Sequence, residues 1–462
     1  MLVALLVFAG CSGGGATGRH QGDALPTDSG SPGSTLPSAS GTPTAGLSPG
    51  ATPGSGSGSL VGGGGGGVGG PGTPNGIGGY TIPNLFTSAE NQIGIYPDHI
   101  TLCTHAALNL SAVFGVDAGD LNVYWDYVNQ ELGGIYGRKV IMSYADDKYG
   151  NQPSDVRNAY EECKAKKPFI LLGGIGFDQI PAVRAFAEQD HQLYIHHIAR
   201  EDFTKKYSFS FLPSVETIGH RVAQWVLHAH PGQKIGAIYR QSENWEPGHK
   251  TFKAELAAHG VKVDPDLPVQ KNASVYSTQI SALQGAKTKV VFIWENALAA
   301  IEIIQQAKKQ GFNPQWIVFP FNLMTDKLGN AMVNPIPVEG IATWPAYRPG
   351  VTNASYSSYA SEIKFFETEH AKYGTGKTDD ITWMTWLGWR QLHKLLLDCG
   401  KECTRNKIVG LLQSGVHKPI FGCPFNFGVN GHVGGFHVNI FRADIEASKP
   451  GWENIELCKD HF

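Results

Sequence analysis

Several short runs carry residue types that could do chemistry. Asp146-Asp147 closes the run KVIMSYADD, and a carboxylate pair can serve as general acid and base. His196-His197 and His228-x-His230 offer imidazole nitrogens to a metal ion. Glycine runs at 62–67 and in GGIYGR (133–138) are of the kind that can cradle phosphate. Phe177, Trp245, Trp294, Phe321 and Trp344 have Asp178, Glu295, Asn296 and Asn322 beside or between them. Apolar walls with a few polar groups are what small-molecule pockets look like.

Each run also has a plainer reading. An Asp that ends a strand ahead of a helix is commonly a turn or cap residue. Adjacent histidines in a strand point to opposite faces. His228 and His230 end a helical stretch, where cationic side chains are favoured anyway. The run at 62–67 lacks the Lys-Ser/Thr and the preceding strand of a phosphate loop. In GGIYGR the first two glycines end a helix and Gly137 turns the chain into the next strand. GGIGFDQ lacks the third glycine of a dinucleotide fingerprint, and neither HExxH nor a strand-borne G-x-S-x-G is present. The expectation is a chain with no catalytic residue, no metal site and no cofactor. Each aromatic, taken singly, could equally be a core residue.

The elements that would position these residues follow from periodicity. Strand-like runs are HITLCTHA (99–106), KVIMSYADD (139–147), PFILLGG (168–174), QLYIHHIA (192–199), KIGAIYR (234–240), TKVVFIWEN (288–296) and PQWIVFPF (314–321). Helical spacing recurs at 117–134, 152–167, from Ile180 to His191, 216–230, 248–260 and 299–312. Regular alternation of strand and helix predicts an α/β fold with parallel sheets covered on both faces. The units are too many for one domain of ordinary size, so two α/β domains are expected.

The N-terminus reads differently. MLVALLVFAG is shorter than the roughly 20 residues that span a bilayer and suits the apolar part of a secretory signal. Phe8-Ala9-Gly10-Cys11 resembles the lipobox of bacterial lipoprotein signals, which implies that Cys11 is lipidated and tethers the chain to the cell membrane. Residues 12–85 are rich in Gly, Ser, Pro and Thr and cannot bury enough surface to offset ordering, so they read as a flexible linker. The chain has 462 residues and a formal net charge of −3, without the basic stripe that a nucleic-acid partner needs. Seven cysteines are present. Besides Cys11 they are Cys103, Cys163, Cys399, Cys403, Cys423 and Cys458, an even set that outside the cytosol reads as three disulfides. Proximity favours Cys399–Cys403, Cys423–Cys458 would pin the C-terminus, and Cys103–Cys163 is what remains.

One pattern runs through most of the chain. It comprises Asn129, Gly133, Gly134, Ile135, Gly137, Arg138, Lys139, Asp146, Asp147, Tyr149 and Pro153. It continues through LLGGIG (171–176), HPGQKIGAIYR (230–240), QAKKQGF (306–312), VEGI (338–341) and CTRNKIVGLL (403–412). The set resembles the type I periplasmic binding proteins, in the branch of the leucine/isoleucine/valine-binding proteins. The resemblance implies two doubly wound lobes joined by a hinge of three crossings, with a solute bound between them and delivered to the permease subunits of an ABC importer. It implies lobe 1 at 91–212 plus 345–415 and lobe 2 at 213–344 plus 416–462, acting as a monomer. A sensor that presents its ligand to a membrane receptor would use the same fold.

Ligands of open α/β sheets gather at the carboxyl ends of strands. That places His105, Phe177, Asp178, Ala199, Glu201, Trp245, Trp294, Glu295, Asn296, Phe321, Asn322 and Trp344 as candidate contacts. Amino-acid binders of the family use small hydroxyl residues in the second and third loops and an acid after the strand ending at 319–321. Here those loops read GIGFDQ, IAREDF and PFN. The expected solute is therefore apolar or aromatic, or a sugar-like one stacked on rings, with at most one charge.

Overall fold

The structure is a computed structural model. It describes residues 76–77, 80–81 and 84–462, apart from 109–116, 151, 175, 198–204, 272, 320–337, 346, 348–356, 376–377, 415, 418–422, 429–430 and 445–450. Cys11 and the linker up to residue 75 lie outside the described residues, as do Ala199, Glu201, Phe321 and Asn322.

Alternating strands and helices build two sheets. The first holds β1 (His99–Ala106), β2 (Lys139–Asp146), β3 (Ile170–Gly173), β4 (Tyr194–His196) and β5 (Ser208–Ser210). Its order is β2-β1-β3-β4-β5 and every pairing is parallel. Helices α1 (Ala118–Gln130), α2 (Pro153–Ala165) and α3 (Ile180–Gln189) make the early crossovers. Proline stands in the first turn of α2 and α3, where its missing N–H costs nothing.

The chain then enters the second lobe through α4 (Val215–Ala229), β6 (Ile235–Arg240), α5 (Glu246–Ala258), β7 (Val263–Val269) and α6 (Ser277–Gly285). β8 (Val290–Trp294), α7 (Ala297–Lys309), β9 (Gln315–Phe319) and β10 (Val338–Ala342) follow. It returns to the first lobe as α8 (Ser357–Tyr373), α9 (Asp380–Cys399) and α10 (Arg405–Leu412). A third crossing brings β11 (Val438–Asp444) and β12 (Gly451–Lys459) to the second sheet. That sheet has the order β12-β11-β10-β9-β8-β6-β7, parallel from β7 to β10 and antiparallel beyond.

The glycines at these joints have a local explanation. Gly134 has φ +80, and a Cβ there would stand 2.1 Å from the Arg138 carbonyl oxygen. Only glycine lets the end of α1 turn that tightly onto β2. Gly174 follows β3, where a Cβ would lie 2.3 Å from the His105 carbonyl.

Apolar side chains segregate accordingly. Leu102, Trp125, Ile170 and Phe209 pack with Trp383, Trp386, Leu396 and Ile408 from the returning helices in the core of the first lobe. Ile238, Ile280, Ile293, Ile303 and Phe441 form one core of the second. A third cluster joins Tyr160, Phe177 and Val183 to Val222, Trp245, Trp294 and Ile440, so apolar contact is continuous from lobe to lobe. Disulfides join Cys103–Cys163, Cys399–Cys403 and Cys423–Cys458. The first ties β1 to α2 and the second closes the turn after α9.

Candidate functional site

The carboxyl end of the first sheet is a buried polar network. His105, at the end of β1, places Nδ1 2.7 Å from Asp147 Oδ2 and Nε2 2.8 Å from the Tyr194 hydroxyl. Asp147 Oδ1 also accepts from the Tyr149 amide at 2.9 Å and from Gln179 Nε2 at 2.9 Å. His105 is 2% exposed and Asp147 0%, and burial pushes the Tyr194 hydroxyl well above its usual range. An Asp-His-Tyr chain so enclosed ties together the loops after β1, β2 and β3. Asp146 accepts from the amides of Leu108 and Lys148 at 3.1 and 3.0 Å, the work of a turn residue. Two of the paired histidines also have protein partners. His196 Nε2 lies 2.8 Å from Ser208 Oγ, and His230 Nε2 lies 3.0 Å from Glu339.

The two lobes meet where β3 and β6 end. Arg240, the last residue of β6, donates from Nε to Glu295 at 2.7 Å and from Nη1 to Asp178 at 2.6 Å. Trp245 Nε1 donates to Asp178 Oδ1 at 3.0 Å, and Asn244 Nδ2 to the Phe177 carbonyl at 2.6 Å. Lys271 Nζ stands 3.2 Å from Asp178 Oδ2 and donates to the Gly150 carbonyl at 2.9 Å. Phe177 and Asp178 belong to the first lobe; Arg240, Asn244, Trp245, Lys271 and Glu295 belong to the second. Burial raises the Glu295 carboxyl, opposed by the Arg240 charge.

The predicted aromatics are stacked in the same place. Phe177 packs edge-on against Trp245 at 5.2 Å between centroids, Trp245 against Trp294 at 6.0 Å, and Trp294 stacks on Phe319 at 4.8 Å. Trp294 Nε1 donates to the Trp245 carbonyl at 2.6 Å. Trp245 is 2% exposed and Trp294 0%. The structure therefore places Phe177, Asp178, Trp245, Trp294 and Glu295 in the joint between lobes, while the Asn296 side chain caps α7 by accepting from Ala299 N.

Open space of about 610 Å³ adjoins the joint, lined by Asp178, Arg184, Ser242, Asn244 and Lys271, and its rim is polar and charged. A second, apolar space lies in the first lobe. A cavity of about 190 Å³ occupies the first lobe between the carboxyl ends of its strands and helix α9. Thr104, Ala106, Leu172, Gly173, Gly174 and Ile195 form the sheet side. Leu121, Met384, Leu387, Gly388, Trp389 and Leu392 form the helical side, and Phe211, Leu212, Thr343, Trp344 and Phe425 come from the crossings. Of the candidate contacts, only Trp344 lines it among the described residues. His197 is also in the wall, and burial pulls its imidazole down to about 4, so that side chain is uncharged at neutral pH. Phe177 and His197 are ring neighbours at 5.4 Å, which sets the joint between lobes directly beside the cavity.

A family described as periplasmic binding protein matches residues 121–444. The chain belongs to the periplasmic binding proteins. Its fold is that of type I members, as the solved structures it resembles make plain. One is a fatty acid ABC transporter substrate-binding protein from Thermomonospora curvata, 17% identical, with a TM-score of 0.64 over 80% of this chain and 94% of that one. Another is a possible leucine/isoleucine/valine-binding protein from Rhodopirellula baltica, 16% identical, with a TM-score of 0.64 over 78% and 96%. A third is an R. palustris ABC transporter solute-binding protein in complex with 4-hydroxybenzoate, 15% identical, with a TM-score of 0.64 over 79% and 98%. No curated protein matches.

Sequence reasoning missed most of the walls of this periplasmic binding protein's cavity. Met384, Thr385, Leu387, Gly388 and Trp389 sit on α9, more than 170 residues beyond the strands they face. The one available signal was Gly388 inside an otherwise strong helical stretch, since an interior helical glycine commonly has a packing or functional reason.

Proposed function

We propose that the protein is the extracytoplasmic solute-binding component of an ABC-type importer, and that its solute is small, largely apolar or aromatic, and carries at most one charge. The apolar cavity under α9 carries this reading. Its volume of about 190 Å³ compares with the roughly 150 Å³ engineered cavity that admits benzene, so one ring or a short aliphatic chain fits. A zwitterion would bring two charges to a wall of Leu, Ile, Phe and Trp, and burying unpaired charge is costly. The neutral His197 and the Thr104 and Thr385 hydroxyls suit a single polar group.

The same proposal includes the lobe limits given above, a signal segment at 1–11, lipidation at Cys11 and a tether over 12–85. Replacing Cys11 by Ala should release the protein from the membrane into the medium. A variant that stays membrane-bound would refute the anchor.

Calorimetry with benzoate, a medium-chain fatty acid, a neutral sugar and leucine tests the solute class. Binding of the first or second, with leucine inert, is expected. Tight binding of leucine alone would overturn it.

A further inference from the structure

The second lobe presents a positively charged pocket that the first lobe fills. Arg240 Nη1, Lys271 Nζ and Trp245 Nε1 come from the end of β6, the loop after β7 and the residue before α5, and they converge on one point. At that point stands the carboxylate of Asp178, with Oδ2 2.6 Å from Arg240 and 3.2 Å from Lys271, and Oδ1 3.0 Å from Trp245.

Charge within the cluster does not balance without Asp178. The second lobe alone sets Arg240 and Lys271 against the single carboxylate of Glu295, where the Arg240 and Glu295 side chains are each 1% exposed. Arg240 and Glu295 balance one another, and Lys271, whose side chain is 29% exposed, adds a second positive charge at the edge of the cluster that Asp178 answers. Arg240 Nη2 is buried and has no hydrogen-bond partner among the described residues. A carboxylate freer than Asp178 could take both ends of the guanidinium fork.

We propose that Arg240, Trp245 and Lys271 form a carboxylate-binding site on the second lobe, and that Asp178 occupies it as a built-in ligand that keeps the cleft shut. Closure then needs no charge from the solute, whose apolar body lodges beside the joint rather than in it. Small free carboxylates compete with Asp178 for the same donors.

Small-angle scattering on the intact, solute-free protein tests this with sodium formate as the probe and sodium chloride at equal ionic strength as the control. Asp178→Ala should raise the radius of gyration. Formate should return it to the wild-type value by filling the vacated site, and chloride should not. Adding Arg240→Gln to Asp178→Ala should abolish the rescue. Asp178→Asn keeps the side-chain volume and serves if the alanine variant does not fold; it too should be more open than wild type. An unchanged radius in the folded variants, or equal effects of formate and chloride, would overturn the proposal.

Discussion

Trp245 and Asp178 belong to different lobes, and the indole of the first donates to the carboxylate of the second across 3.0 Å. An aromatic ring expected to wall a pocket is thus a strut between lobes. It is 2% exposed and packed against Phe177 and Trp294.

Trp245→Ala should therefore act on stability. Truncating a buried tryptophan costs about 3–5 kcal/mol. Urea unfolding at neutral pH would measure it, and a loss below about 1 kcal/mol would show that the ring is not packed as described.

Gly388 offers a way to fill the cavity without disturbing its frame. It lines the cavity, and a Cβ there meets nothing within 4 Å. Gly388→Leu should weaken binding of an apolar acid at least tenfold. The melting midpoint should hold or rise, because leucine favours an interior helical position over glycine by roughly 0.8 kcal/mol. Unchanged affinity in calorimetry would remove the solute from this cavity.

Acid should destabilise the first lobe through its buried histidines. Burial pulls His370 and His393 down to about 4 from the ordinary 6.5, the first opposed by Asp120 and the second aided by Arg390. The His393 ring nitrogen Nδ1 meets the Tyr124 hydroxyl at 2.8 Å. Below pH 6.5 the unfolded chain takes up protons that the fold refuses. Stability falls from there to about pH 4 and gains nothing from these groups above it. Each histidine accounts for about 2 kcal/mol by pH 5. Denaturant melts at pH 7 and pH 5 should show a smaller difference for His370→Gln than for wild type, and an equal difference would refute the assignment.

The disulfides should differ in weight. Cys103–Cys163 closes a segment with a sequence separation of 60, and Cys399–Cys403 one of only 4. In the loop-entropy model, removing the first costs about 4 kcal/mol and the second about 2. Paired Cys→Ala variants compared by chemical unfolding would check the order, and the reverse order would count against loop closure as the cause.

Periodicity alone located β1, β2, β3, β4, β6, β8 and β9, because buried parallel strands are short apolar runs bounded by helical spacing. It passed over β7, whose sequence VDPDLPV contains two prolines. An edge strand can hold them because one side of it needs no partner. The joint between lobes was half legible: Phe177, Asp178, Trp245, Trp294 and Glu295 do come together at strand ends. Nothing in a linear sequence says whether a tryptophan there faces a ligand or another ring. The cavity was less legible still, since α9 meets the sheet only after the chain has left the first lobe and come back.

That return has a consequence for the order in which the molecule can form. Trp125 on α1 packs among Trp389 and the other α9 side chains, so the core on that side of the first sheet stays incomplete until residues beyond 380 exist. At roughly 5–20 residues per second of synthesis, the two halves of this core emerge some 13–50 s apart. A lobe that cannot close early leaves its N-terminal half loose for that interval, the state in which a polypeptide can still be threaded through a narrow pore before it becomes too bulky to pass.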